Sequence, residues 1–283
     1  MRLKLKIIVI TLLTAIAFSS CVNLQHVNEF SFSSLQGITA FEELNYSFKQ
    51  SCLDKCIDKN INNLDIITTA CDCKQEELAD SITLKIYSSV YGYFDGLVKL
   101  SDGELTSYQT AALETALTEG DFGSITVNKN NVESYSKISR ILIRAFTDSF
   151  RRNEIKEYVT EANEPVIELL TFLDFNIAAN LNGKLNVKKE RIKADYFDLI
   201  KDKSLSNMEK RNAVKEYFQM ISEIESQQGK LFTYSNTLSK IAEGHQQLHD
   251  NIDSLKEKEI KQILFQYASE IKVIISEFNK IEG

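Results

Sequence analysis

Cys52, Cys56, Cys71 and Cys73 fall within 22 residues of SCLDKCIDKNINNLDIITTACDC (51–73). Four thiols so close can close two disulfides, hold a zinc ion as thiolates, or work as a redox couple. C-x-C is tighter than the usual zinc knuckle, and the C-x-x-C of most redox motifs does not occur. A second constellation is HQQLH (245–249), whose four-residue spacing puts His245 and His249 on one helical face, as two imidazoles reaching for a metal would be. The glutamate that makes H-E-x-x-H a zinc hydrolase is replaced by Gln246, so the general base for hydrolysis is missing. A structural role competes with ligation, because polar residues inside a helical seam fix its register and a histidine near a helix C-terminus suits the dipole.

Other matches to chemical motifs fail on context. DFG at 121–123 has no glycine-rich loop or H-R-D segment beside it, and Gly183-Lys184 lacks the rest of a phosphate loop. There is no G-x-S-x-G. With His26, His245 and His249 as the only histidines, a nucleophile-histidine pair has few sources. Arg140, Arg144, Arg151 and Arg152 form a local basic stripe, read as a solvated face pairing with neighbours such as Glu154 and Glu157. No catalytic residue and no cofactor is expected.

The N-terminus carries a further cysteine with a distinctive setting. Arg2, Lys4 and Lys6 precede twelve uncharged residues, IIVITLLTAIAF (7–18), then Ser19, Ser20 and Cys21. Twelve apolar residues are too few to span a bilayer core, which takes about 20 in a helix, so the segment reads as a cleaved export signal. The arrangement of small residues before Cys21 resembles the lipobox of bacterial lipoproteins, with Phe18 where that motif usually has Leu. The resemblance covers residues 1–21 and implies cleavage before Cys21 and acylation of its sulfur and new amine. Several acyl chains would anchor the protein to a lipid bilayer without spanning it. Val22 stands where many lipoproteins carry an inner-membrane retention aspartate, and no acidic cluster follows. By the same resemblance, that implies an outer-membrane location facing the periplasm.

Export strengthens the disulfide reading of the four cysteines, since thiolates compete poorly with oxidation outside the cytosol. Composition fits the rest. Without residues 1–20 the chain has 30 Lys and Arg against 40 Asp and Glu, a net charge of −10, which disfavours nucleic acid as a partner. Ten glycines and one proline in 283 residues leave few turns and predict long helices.

Those helices must position the cysteines and histidines. The predicted fold is all-α, an elongated bundle spanning 34–283 behind a tether, 21–33, that would reach about 40 Å if extended. Helices are expected at 34–59, 74–101, 104–119, 131–161, 164–182, 188–203, 206–250 and 254–282, with a short strand at 125–127. Phe41, Leu44, Phe48, Cys52 and Cys56 share an apolar stripe, so 34–101 should be a helical hairpin stapled by nested bridges, Cys56 to Cys71 inside Cys52 to Cys73. Ser101 with Glu104, Ser206 with Glu209, and Ser254 with Glu257 fit capping boxes. Pro165 is expected in a first turn or inside one kinked rod that joins the helices on either side, and Gly183 at a helix end. In 206–282 the four-three alternation of Ile260, Leu264, Tyr267, Ile271, Ile274, Phe278 and Ile281 predicts a long antiparallel coiled-coil-like hairpin.

Together these features lead to an expected function: a non-catalytic, membrane-anchored envelope lipoprotein that presents helical faces to a protein partner. The alternative is a lipoprotein that binds a ligand or metal through His245 and His249.

Overall fold

The computed structural model describes residues 24–66, 71–102, 116–147 and 155–281, and over them the chain is all-α apart from one small hairpin. Its helices are α1 (Gln25–Thr39), α2 (Phe48–Asn62), α3 (Lys74–Asp102), α4 (Lys129–Thr147), α5 (Ile155–Asp174), α6 (Asn182–Lys201), α7 (Asn207–Asp250) and α8 (Lys258–Phe278). The antiparallel strands β1 (Gly120–Phe122) and β2 (Ile125–Val127) precede α4, with Gly123 at φ 59° supplying the left-handed turn between them. The strand expected at 125–127 is present. The helix expected at 104–119 falls mostly on residues 103–115, outside the described residues, and 116–119 are irregular.

The first correction concerns the tether. Residues 25–33 belong to α1, which packs against α3, α7 and α8 and buries Val27, Phe30 and Ile38 completely. Its sequence shows no stripe because neighbours cover it from several sides. The serines that make it look like linker are buried at little cost: Ser31, Ser33 and Ser34 each donate to the carbonyl four residues back, at 2.7, 2.7 and 2.9 Å. Close approach to α7 needs glycine. A Cβ at Gly244 would overlap the Phe30 ring, and one at Gly37 would crowd Thr237.

The second correction is a break inside the helix expected at 34–59. After α1 a 3₁₀ turn, Ala40–Glu43, leads to Asn45 at φ 52°, and α2 starts afresh behind Ser47. The Ser47 hydroxyl accepts from Gln50 N at 3.2 Å. A second cap comes from another helix, since both oxygens of Asp80 in α3 accept from the free amides of Phe48 and Lys49, at 2.9 and 3.0 Å.

Neither Pro165 nor Gly183 starts or ends a helix, and the segments either side of Pro165 form one rod. Pro165 lies in the interior of α5, whose Ala162, Val166, Leu169 and Leu170 are core residues; packing outweighs the lost N–H. α5 then runs through a π-helical stretch, Phe175–Leu181, straight into α6 and past Gly183. The wider turns leave carbonyls to satisfy, and the Asn176 amide donates to Phe172 O at 2.9 Å. At α7 the predicted capping box forms: Glu209 N reaches the Ser206 hydroxyl, and the Glu209 carboxylate accepts from Ser206 N at 2.7 Å. Ser254 instead sits in a 3₁₀ turn, and α8 begins after Glu257 without a side-chain cap.

α7 has 44 residues, about 65 Å at 1.5 Å per residue, and organises the bundle. Its C-terminal half pairs with α8 as the seam predicted, burying Ile260, Leu264, Ile271 and Phe278, and also meets α1 and α5. Its N-terminal half pairs with α6 alone to form an arm. Gln228 bridges to Asn182 and Asn186, both at 2.8 Å, Lys189 pairs with Glu225, and Tyr196 reaches Glu216.

Candidate functional site

Cys21 lies outside the described residues. Two residues separate it from Leu24, a span of at most about 11 Å, and Leu24 is already buried. The chain therefore enters the bundle almost directly. α1 runs antiparallel to α3: the Asn28 amide meets Val98 O and the Ser101 hydroxyl, whereas Tyr87 donates to Glu42 and Phe48 is capped by Asp80. Residue 24 thus marks one end of the bundle, together with the α7–α8 turn.

The opposite end carries the staple. Cys52 bonds Cys73 and Cys56 bonds Cys71, with Cα separations of 5.9 and 6.1 Å, which is the nested pairing. The bridges join the N-terminal half of α2 to the segment that leads into α3. α2 is also tied to α6: Lys188 pairs with Asp54 at 2.7 Å, Arg191 pairs with Asp58, and the Asn62 amide reaches Asp195 at 3.2 Å. All these charged groups are at least half withdrawn from solvent, so the links are stiffer than ordinary surface pairs.

This end carries most of the large apolar side chains left uncovered among the described residues, although Phe32, Phe175, Phe232, Phe265 and Val273 are exposed elsewhere. At the stapled tip, Ile57 and Ile61 are exposed, Leu64 is 90% exposed and Ile66 97%. On the arm, α6 buries only Leu185 and Ile192 and leaves Val187, Phe197 and Ile200 out, while α7 exposes Met208 and Phe218, the latter at 64%. Periodicity could not find this set, because the positions do not repeat along one strip. Composition gives no signal either, since residues 182–224 hold four aromatic residues, about the chain's average of 10%.

The histidines do not come together as a ligand pair. His245 is wholly buried, and both ring nitrogens are engaged: Nε2 lies 2.7 Å from the Tyr93 hydroxyl and Nδ1 2.9 Å from Asn163 Oδ1. The Asn163 amide nitrogen donates to Gln246 at 3.1 Å, so its oxygen accepts, the proton sits on His245 Nδ1, and Nε2 accepts from Tyr93. Tyr93 in turn stacks on Tyr158, whose hydroxyl donates to Tyr93 O at 2.9 Å. Burial, with a smaller contribution from nearby His249, pushes the His245 pKa down to about 3 and keeps the ring neutral. His249 turns outward and lies 3.0 Å from the Asp250 carboxylate. Among the described residues, no group of three or more His, Cys, Asp and Glu side chains is placed to hold a metal ion. The Asn163–Tyr93 partnership was invisible in the sequence, since its members lie 82 and 152 residues from His245.

The remaining basic stripe is partly structural. Arg144 joins α4 to α5 through Glu161 at 2.7 Å and Glu157 at 3.3 Å, and Arg140 donates to Ser136 O; Arg151, Arg152 and Glu154 lie outside the described residues. His26, the third histidine, is buried against Phe265 in α8, and burial beside Lys261 lowers its pKa to about 4. Among the described residues, no helix is long and apolar enough to cross a membrane. No protein-family model matches the chain, nor does any curated protein or any solved structure.

Proposed function

We propose that the protein is a non-catalytic lipoprotein of the bacterial envelope, held to the periplasmic face of the outer membrane by an acylated Cys21 and binding a protein partner through its far end. The observation that carries this reading is polarity of placement: uncovered apolar side chains gather on the stapled tip and the α6–α7 arm, at the end opposite residue 24. Scattered exposed hydrophobics are ordinary, but a rigid projection that keeps Phe197, Phe218, Leu64 and Ile66 in water is suited to being covered. With about 11 Å of chain between the acylated residue and the fold, the bundle would stand on the bilayer and carry the arm tens of ångströms from it.

Two measurements test the two halves of this reading. Intact mass should show acylation at Cys21, and Cys21→Ser should release the protein from membranes. A photo-crosslinking residue at Phe218 should trap one discrete envelope protein in living cells, while the same residue at Lys256, in the turn beside residue 24, should not. Equal trapping from both sites, or none from Phe218, refutes partner binding at this end; an unmodified Cys21 refutes the anchor.

A further inference from the structure

A cleft of about 410 Å³ opens between α2, α6 and the β1–β2 turn. It is separate from the exposed apolar residues of the tip, and its volume lies within the range of small-molecule sites. Its walls are unusual for so acidic a chain. Lys55, Lys184, Lys188 and Arg191 line it, with Asp54 as the one carboxylate in the wall. Asp54 is spent on Lys188, and Arg191 is held by Asp58. Lys55 and Lys184, from facing helices, have no carboxylate within ion-pair distance among the described residues. Two ammonium groups are thus left uncompensated in a protein of net charge −7.

Neutral donors surround them. Tyr46 is 7% exposed and lines the cleft, and its buried hydroxyl faces the Ser51 side chain. The Arg191 Nε is buried without a hydrogen-bond partner. Ser51 and Ser124 add hydroxyls, whereas Asn180 at the wall spends both amide N–H groups on Ser124 O and Asn176 Oδ1. Asn180 belongs to the π-helical stretch, a distortion often kept at binding sites.

Gly183 supplies a separate indication. It sits in the body of a helix, where glycine is unfavourable, and a Cβ there would meet nothing within 4 Å. Packing therefore gives no reason for glycine. The space in front of it is the cleft, which a side chain would fill.

We propose that this cleft binds a small phosphorylated molecule, its phosphate dianion held by Lys55 and Lys184 and its remaining oxygens by the hydroxyls of Ser51 and Ser124. Two cations without a carboxylate partner match the charge of a phosphate monoester near neutral pH, and the two serine hydroxyls beside them can donate to its oxygens. The body of the ligand is polar and compact. A freely diffusing molecule is favoured over a lipid headgroup: Phe48, beside the cleft, is bound to Asp80, about 30 Å along α3 from the end where the chain enters. The proposal holds whether or not Cys21 is acylated.

The probe is glycerol 3-phosphate, titrated calorimetrically into the full-length protein in neutral detergent at low ionic strength. Binding is expected, with glycerol giving none. Lys184→Gln and Lys55→Gln should each raise Kd about tenfold, the scale of one charge-assisted contact, and Gly183→Leu should abolish binding. Lys256→Gln, at a distant exposed site, should leave Kd unchanged. Should Gly183→Leu misfold by circular dichroism, Lys184→Gln at the cleft edge still decides. No binding, or equal losses in Lys184→Gln and Lys256→Gln, overturns the site. Succinate binding as tightly as glycerol 3-phosphate overturns the phosphate assignment, and tighter binding of dihexanoyl phosphatidic acid overturns the free-ligand assignment in favour of a lipid headgroup.

Discussion

Acidification from pH 7.5 to 5 should destabilise the protein through His245. In the folded state this ring is neutral, with a pKa of about 3 against 6.5 for a free imidazole. A group whose folded pKa is depressed binds protons only after unfolding. Its contribution is therefore complete above pH 6.5 and fades as pH falls toward 3. At pH 5 the unfolded ring is almost fully protonated and the folded one is not, and the difference integrates to about 2 kcal/mol. His26, with a folded pKa of about 4, acts in the same direction. Because approach to the isoelectric point also changes charge repulsion, a variant comparison is needed. His245→Gln keeps some hydrogen-bonding capacity toward Tyr93 and Asn163 and should lose about 2 kcal/mol at pH 7.5, the scale of a disturbed buried network. Urea unfolding followed at 222 nm should then show the gap between wild type and variant shrinking by about 2 kcal/mol at pH 5. A gap that stays constant across this range would refute the buried neutral imidazole and the proton placement derived from Asn163.

Three further outcomes follow from packing and covalent structure. Peptide mapping without reduction should recover Cys52 with Cys73 and Cys56 with Cys71, and Cys56→Ala with Cys71→Ala should cost about 3 kcal/mol in chemical denaturation. Two helical glycines should respond with opposite signs: Gly244→Ala, whose methyl would overlap Phe30, should lose about 1–3 kcal/mol, and Gly183→Ala should gain about 0.5–1 kcal/mol. Phe197→Asp should leave thermal stability within the error of an exposed-site change, roughly 0.5 kcal/mol, while abolishing the cross-link expected from residue 218 on the same arm.

What the sequence made legible were features set by local spacing. The seam of α8, the capping box at Ser206 and the nested bridges all depend on residues close in the chain, whose helical phase can be counted. Features set by distant neighbours were hidden. α1 was mistaken for a tether because burial from several directions erases amphipathic periodicity, and because its serines are satisfied by its own backbone. Pro165 and Gly183 looked like boundaries, yet tertiary packing carries the helix through both. HQQLH has metal-binding spacing, but only the fold reveals that Tyr93 and Asn163 already occupy one of its rings. The cleft was equally illegible: Tyr46, Lys55 and Lys184 converge from separate helices and an irregular link, and no motif joins them.

The position of α1 has a consequence for how the molecule is made. The first helix of the fold is completed by the last: Glu29 pairs with Lys272, 243 residues later, and His26 rests on Phe265. Contacts of such sequence separation form late, because the intervening chain must first be closed into a loop. While a ribosome is still short of residue 278, Val27, Phe30 and Ile38 have no complete cover, so the nascent chain cannot lock into its final state from the front. Shortening the protein by only its terminal helix should therefore unsettle its opening segment as well, and limited proteolysis of such a truncated form should cut within residues 25–39 first.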